Sequence, residues 1–176
     1  MASPPGVSRS RSDAGSPVVR GGIAALIPVR MPALRPLAHR GGRAVEPDSA
    51  PGSGAQIGVD LIAVSRVRRV FEGKSALLAT VFTEEELRYC TRQRRPFMHL
   101  AARFAAKEAV FKALGRGLSG GMRWTDVETV HGAWAEPRLV LRGEAARLAD
   151  SRGLHRYAVS LTHAGGYAMA AVIFTG

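Results

Sequence analysis

The chain has 176 residues, 46% of them apolar, and 25 Lys+Arg stand against 14 Asp+Glu for a formal charge of +11. Length and apolar content suit one globular domain with a real core and argue against a two-domain enzyme. A single cysteine, Cys90, excludes an intrachain disulfide and a C-x-x-C thiolate zinc site, and points to a reducing, cytoplasmic setting.

Residues 1 to 55 hold eight of the ten prolines, eight of the twenty glycines and seven arginines, against only Asp13, Glu46 and Asp48 as acids. A segment of this Arg/Pro/Gly/Ser-rich composition buries too little apolar surface to offset ordering entropy and reads as a disordered extension. It is Arg-rich and Ser-rich like an organellar transit peptide, but proline breaks it repeatedly. An arm without a role, or a start codon at Met31 or later, explains it more simply.

Residues 56 to 176 form the domain. Ile57 to Ile62 is a β-branched apolar run interrupted by Asp60, and Val64, Val67, Val70 and Phe71 follow at helical spacing, which predicts strand then helix. Thr83 with Glu84-Glu85-Glu86 marks the start of a second helix running to about Gln93, which Pro96 ends. Phe97 to Leu114 holds strong helix formers without internal proline or glycine and is closed by Gly115. Two extended stretches, Arg123 to Val130 and Arg138 to Arg142, predict a hairpin, and Gly143 to Ser151 a short helix. Tyr157 to Thr162, the Gly165-Gly166 turn and Tyr167 to Phe174 predict a second hairpin. The order is that of an α+β fold with an antiparallel sheet packed against one long and several short helices. Tyr167 to Phe174 is among the longest apolar stretches and falls far short of the roughly 20 residues of a membrane span.

Three short patterns compete for the function. Gly115-Arg116-Gly117-Leu118-Ser119-Gly120 matches G-x-G-x-x-G but follows a helix instead of a strand, which rejects a dinucleotide site. Gly73-Lys74-Ser75 lacks the first P-loop glycine, because position 68 is Arg68. Gly117 to Gly121 also fits G-x-S-x-G, with Asp126 or Glu128 and then His163 in hydrolase order. A serine hydrolase using Ser119 and His163 is therefore an alternative, although the serine sits at a helix exit and the body is short for that fold. A second alternative is a basic nucleic-acid-binding module, against which the scarcity of aromatics among the arginines argues.

A stronger constellation lies on the long helix. Glu108 and Lys112, four apart, sit one turn above each other, about 6 Å along the axis. Spacing alone favours an exposed helix ion pair. Lys74, Lys107 and Lys112 are the only lysines, however, and two of the three are on this helix. Asp60, an acid in an apolar strand, is costly when buried unless it is paired or binds a metal, and otherwise serves as a helix N-cap. Two carboxylates and an ammonium beside a glycine loop would make a Mg²⁺ and phosphate site.

At Ile57-Gly58-Val59-Asp60 and Phe104-Ala105-Ala106-Lys107-Glu108-Ala109-x-x-Lys112 the sequence resembles the holo-[acyl-carrier-protein] synthases, the short single-domain branch of the 4′-phosphopantetheinyl transferases. The likeness runs from Ile57 to Phe174. It takes in Val81-Phe82-Thr83 with Glu86-Leu87, Ala113-Leu114-Gly115-Arg116-Gly117, Trp124-x-Asp126-Val127-Glu128, and Val159 to His163 before Tyr167-Ala168.

The resemblance implies transfer of 4′-phosphopantetheine from coenzyme A to a serine of an apo acyl carrier protein, releasing adenosine 3′,5′-bisphosphate, in fatty acid or polyketide biosynthesis. It implies Asp60 and Glu108 as Mg²⁺ ligands, with Glu108 also as candidate base for the serine proton. Lys107 and Lys112 are expected on the phosphates, His163 on the nucleotide part, and Gly115 and Gly117 where the backbone approaches the cofactor. Arg66 matches a carrier-facing position of the family, and Arg68 and Arg69 join it by proximity. A homotrimer, with coenzyme A between subunits and Tyr167 to Phe174 at the interface, is expected; neither a membrane nor a nucleic acid is. The extension is the main departure from the family's pattern.

Overall fold

The computed structural model describes residues 54–176, so the extension expected over residues 1 to 55 lies almost wholly outside the described residues. The elements run β1 (Gln56–Ala63), α1 (Val64–Phe71), α2 (Ser75–Val81), α3 (Glu84–Thr91), α4 (Pro96–Ala113), β2 (Val127–His131), β3 (Pro137–Leu141), α5 (Gly143–Ser151), β4 (Arg156–Ala164) and β5 (Tyr167–Thr175). Both sheets are antiparallel. One has the order β1-β5-β4 and the other pairs β2 with β3. No described helix is long and apolar enough to cross a membrane.

Helix α4 is the spine. Twelve of its 18 residues are buried, and at 1.5 Å per residue it spans about 27 Å. A helix apolar on nearly every side must be enclosed. The sheet covers one side through β1 and β5, while α1, α3 and β2 cover the rest. The closest approach is at Gly58, where a Cβ would overlap the Ala109 carbonyl oxygen and come within 2.8 Å of the Ala113 backbone nitrogen. Only glycine lets β1 lie on α4 here.

The predicted elements recur with four differences. Helix α2 escaped the sequence because its seven residues, Ser-Ala-Leu-Leu-Ala-Thr-Val, carry neither a side-chain cap nor an acidic first turn. Pro96 opens α4 instead of ending the preceding helix, since the missing N–H costs nothing at the first helical position. The strand expected from Arg123 begins only at Val127, because Trp124–Asp126 form a 3₁₀ turn in which the Asp126 carboxylate accepts from the Arg123 N–H at 2.9 Å. Asp60 is not an N-cap: Ala63 holds that position in α1, with no side-chain cap. Thr83 does cap α3, in a reciprocal box with Glu86. Gly115 adopts a φ of +58° just past α4.

Candidate active site

The strand register puts Gly58, Asp60 and Ile62 on the face of β1 turned to α4. Asp60, 8% exposed, therefore meets the last two turns of the helix. There the Lys112 ammonium donates to the Asp60 Oδ1 at 2.7 Å and to the Val59 carbonyl oxygen at 2.9 Å. Glu108 is half-buried one turn earlier. Burial pushes its carboxyl up to about 7, the negative charge of Asp60 pushes the same way, and Lys112 opposes both.

Two carboxylates that repel each other at a partly open surface are the donor set a divalent cation suits. No three His, Cys, Asp or Glu side chains converge among the described residues. A hard ion held by two carboxylates would thus complete its shell with water and substrate oxygens, the habit of Mg²⁺.

Asp60, Glu108 and Lys112 are brought together, and the glycine loop leaves α4 beyond them with Gly115 and Gly117 exposed. Lys107 is not part of this group. It is fully buried on another side of α4, paired with Glu86 at 2.7 Å, and it donates to the carbonyl oxygens of Val127 and, at 3.2 Å, Trp124. The expectation that it neutralises phosphates is therefore corrected: adjacent helix positions diverge by about 100°, so Lys107 and Glu108 face different surroundings. Burial drives the Lys107 ammonium below the ordinary lysine range, against the pull of Glu86.

His163 lies at the far end of the spine, its ring 6.3 Å from that of His99 in the first turns of α4. Within one chain it is remote from Glu108 and Lys112. It is equally remote from Ser119, in the exposed loop past the other end of α4, so the hydrolase alternative has no nucleophile and base in contact. On α1, Arg68 and Arg69 are exposed and Arg66 is half-buried, with the Arg68 guanidinium 5.2 Å from the centre of the Phe97 ring.

Sequence reasoning missed the polar frame behind the site. Glu86 binds Lys107 and accepts from the Thr129 N–H at 3.0 Å. Glu128 accepts from the Thr83 hydroxyl at 2.6 Å and pairs with Arg142 at 2.6 Å. The capping box at Thr83 and the family likeness at Glu86-Leu87 were the available signals for Glu86.

Residues 56–172 match the model of the 4′-phosphopantetheinyl transferase superfamily. Over 121 residues the chain is 50% identical to the holo-[acyl-carrier-protein] synthase of Syntrophotalea carbinolica, covering 68% of this chain and 94% of that protein. It is 45% identical to the Geobacter sulfurreducens synthase over 117 residues, or 66% and 93% of the two chains. The holo-[acyl-carrier-protein] synthase structure from Neisseria meningitidis superposes with a TM-score of 0.62 at 28% identity, over 69% of this chain and 98% of that one. A synthase–coenzyme A complex from Chronobacterium ammoniagenes gives 0.59 at 28%, over 70% and 98%. These matches and the Asp60, Glu108 and Lys112 cluster support neither the hydrolase nor the nucleic-acid alternative, and the chain belongs to the holo-[acyl-carrier-protein] synthase branch of the 4′-phosphopantetheinyl transferase superfamily.

Proposed function

We infer that this chain transfers the 4′-phosphopantetheine group of coenzyme A to a serine hydroxyl of an apo acyl carrier protein. The observation that carries this reading is the packing of β1 on α4 at Gly58, which sets Asp60 against Glu108 and Lys112 in a family where relatives of up to 50% identity are holo-[acyl-carrier-protein] synthases. The serine oxygen bonds to the β-phosphorus of coenzyme A, the bond to the adenosine 3′,5′-bisphosphate oxygen breaks, and the serine proton leaves. Positioning and charge neutralisation carry most of such a transfer.

Asp60 and Glu108 would hold Mg²⁺, which when bound offsets pyrophosphate charge and stabilises the departing bisphosphate. Lys112, whose side chain is 44% exposed, offers its ammonium to a phosphate oxygen while tied to Asp60. Glu108 takes the serine proton, directly or through water. Gly115 and Gly117 leave the loop backbone open to the cofactor, and His163 belongs to its nucleotide part.

The partners follow from surface chemistry. Arg66, Arg68 and Arg69 make α1 basic beside the strand that carries Asp60, suited to an acidic carrier. The sheet face turned away from α4 is apolar: Ile57 pairs with Ile173, Val59 with Ala171 and Leu61 with Met169, and Ile57 and Leu61 are 63% and 61% exposed. An open apolar sheet face of this kind favours self-association, and we assign it to a homotrimer. Because His163 and Glu108 lie at opposite ends of one spine, a cofactor touching both would lie between subunits. Supply of holo carrier for fatty acid biosynthesis in the cytoplasm is the corresponding cellular role.

The test is incubation with coenzyme A, Mg²⁺ and a panel of apo carrier proteins, followed by mass spectrometry of the carrier. A phosphopantetheine adduct is expected on at least one carrier; none on any would overturn the assignment. Ser119→Ala leaves turnover intact on this reading and abolishes activity in a hydrolase.

A further inference from the structure

The glycine loop leaves α4 at its C-terminus, the end whose unpaired carbonyl groups carry partial negative charge and disfavour a phosphate. The helix closes around Gly115, at a φ of +58°, where the Gly115 N–H donates to the Lys112 carbonyl oxygen at 3.0 Å and the Arg116 N–H to that of Phe111 at 3.1 Å. Leu114 is the C-cap residue, and its carbonyl oxygen accepts from Arg152 Nη1 at 2.7 Å. The same Nη1 lies against the loop, since a Cβ added at Gly115 would stand 3.3 Å from it. A guanidinium 38 residues away in sequence thus sits on the carbonyl end of α4, at the point where the loop begins.

Arg152 is held there by its own helix. It is the C-cap of α5, and Gly153, at a φ of +67°, lets the Leu154 N–H reach the Ala149 carbonyl oxygen at 3.0 Å. Ala145, Leu148 and Ala149 seat α5 in the core, and Glu144 in its first turn lies 3.7 Å from Arg116. The far end of the loop is fixed beside the start of α5. Asp126 accepts from the Arg123 N–H at 2.9 Å through its carboxylate and from the Arg142 N–H at 2.7 Å through its carbonyl oxygen. Gly143 packs so closely on it that a Cβ would come within 2.7 Å of Oδ1. Residues 115–123 are therefore pinned to α5 at both ends, with exposed glycines between. Among the described residues no carboxylate pairs with Arg152, so its charge is not cancelled where the end of α4 needs it.

We propose that Arg152 is a positioning residue for coenzyme A: by covering the Leu114 carbonyl oxygen it fixes the path of the glycine loop and offsets the negative end of α4, so that a pyrophosphate can approach Gly115 and Gly117. The inference rests on the transferase reading. Arg152 acts through the backbone, so its loss weakens capture of the cofactor and leaves the chemistry to Asp60, Glu108 and Lys112. Arg116 cannot take its place, because it is turned to Glu144 and to Gly120, where a Cβ would meet its Nη1 at 3.3 Å.

Transfer kinetics, calorimetry of coenzyme A binding and amide exchange of the ligand-free full chain, read by NMR, test this in Arg152→Leu and Arg152→Lys. Arg152→Leu is expected to raise KM for coenzyme A and weaken its binding about ten-fold, the effect of one lost charge-assisted hydrogen bond, with kcat within about three-fold of wild type. The Gly115 and Arg116 amides should exchange several-fold faster, because the closure they form loses its support. Arg152→Lys, whose ammonium still donates to a carbonyl oxygen, should restore most of both effects, which mere loss of packing would not allow. Should Arg152→Leu fold poorly, Arg152→Gln, too short to reach the Leu114 carbonyl oxygen, takes its place with the same expectations. Unchanged KM and binding, a loss confined to kcat, or no rescue by lysine overturns the proposal. So does weaker binding with unchanged amide exchange, which would put Arg152 on the cofactor itself. An active wild type whose Arg152→Leu variant binds coenzyme A equally well defeats the positioning role alone. Weaker coenzyme A binding by Arg152→Leu beside a wild type that modifies no carrier defeats the transferase reading alone, and a wild type that binds no coenzyme A defeats both.

Discussion

Lys112 reaches across from the last turn of α4 to Asp60 on β1, with Nζ 2.7 Å from Oδ1 and 2.9 Å from the Val59 carbonyl oxygen. The partner anticipated for it from helical spacing was Glu108, and the change matters for chemistry. The ion pair spans two elements and, among the described residues, leaves Glu108 without a salt-bridge partner, the Lys112 charge acting on it only from a distance.

Removing that carboxylate's charge should therefore cost catalysis more than stability. Glu108→Gln is expected to lower turnover about 100-fold or more while leaving the denaturation midpoint within a few degrees. Transfer rates at saturating Mg²⁺ and coenzyme A check this, and near-normal turnover would take Glu108 out of the reaction.

Lys107 should behave in the opposite way. It is fully buried against Glu86, and Lys107→Met leaves a carboxylate buried without its cation, a loss of about 3–5 kcal/mol. Urea denaturation measures it. Lys107→Met combined with Glu86→Gln should lose less than Lys107→Met alone, because the stranded charge is gone.

At Gly58 one methyl group decides how β1 sits. Gly58→Ala drives a Cβ into the backbone of Ala109 and Ala113, and overpacking of this kind costs about 1–3 kcal/mol. Because Asp60 is two residues further on, the same substitution should weaken Mg²⁺ binding, read by calorimetry on the folded protein.

Leu61 tests the assembly. It faces away from α4 on the apolar side of the sheet, so Leu61→Glu should convert a trimer into monomers in sedimentation velocity. A wild-type protein that sediments as a monomer would refute the assembly directly.

The Cys90 thiol gives a pH prediction. Burial raises it from 9.0 to about 11, with Arg103 opposing. The folded state thus holds the proton more tightly than the unfolded one, and the stability this contributes is complete below pH 9 and lost as pH rises through 11. The difference is about 3 kcal/mol. Stability should fall over that interval, less so in Cys90→Ala, and alkylation at pH 8 should require unfolding.

Local rules carried much of this protein in the sequence itself. The period of two in Ile57 to Ile62, the cap at Thr83, the uninterrupted helix formers up to Gly115 and the glycine pair between the last strands each depend on neighbouring residues only. The family signature likewise marked Asp60, Glu108 and Lys112 from linear spacing. What spacing could not decide is which way adjacent side chains turn once the helix is enclosed. Lys107 and Glu108 are neighbours in the chain, yet one enters the core to meet Glu86 and the other meets the strand, because sheet and helices claim different sides of α4. The pairing of Arg103 with His131, 28 residues apart, and the distance between His163 and Glu108 were likewise settled only by packing. Charges far apart in sequence meet where the low-dielectric interior makes their pairing strong, and no local pattern records that.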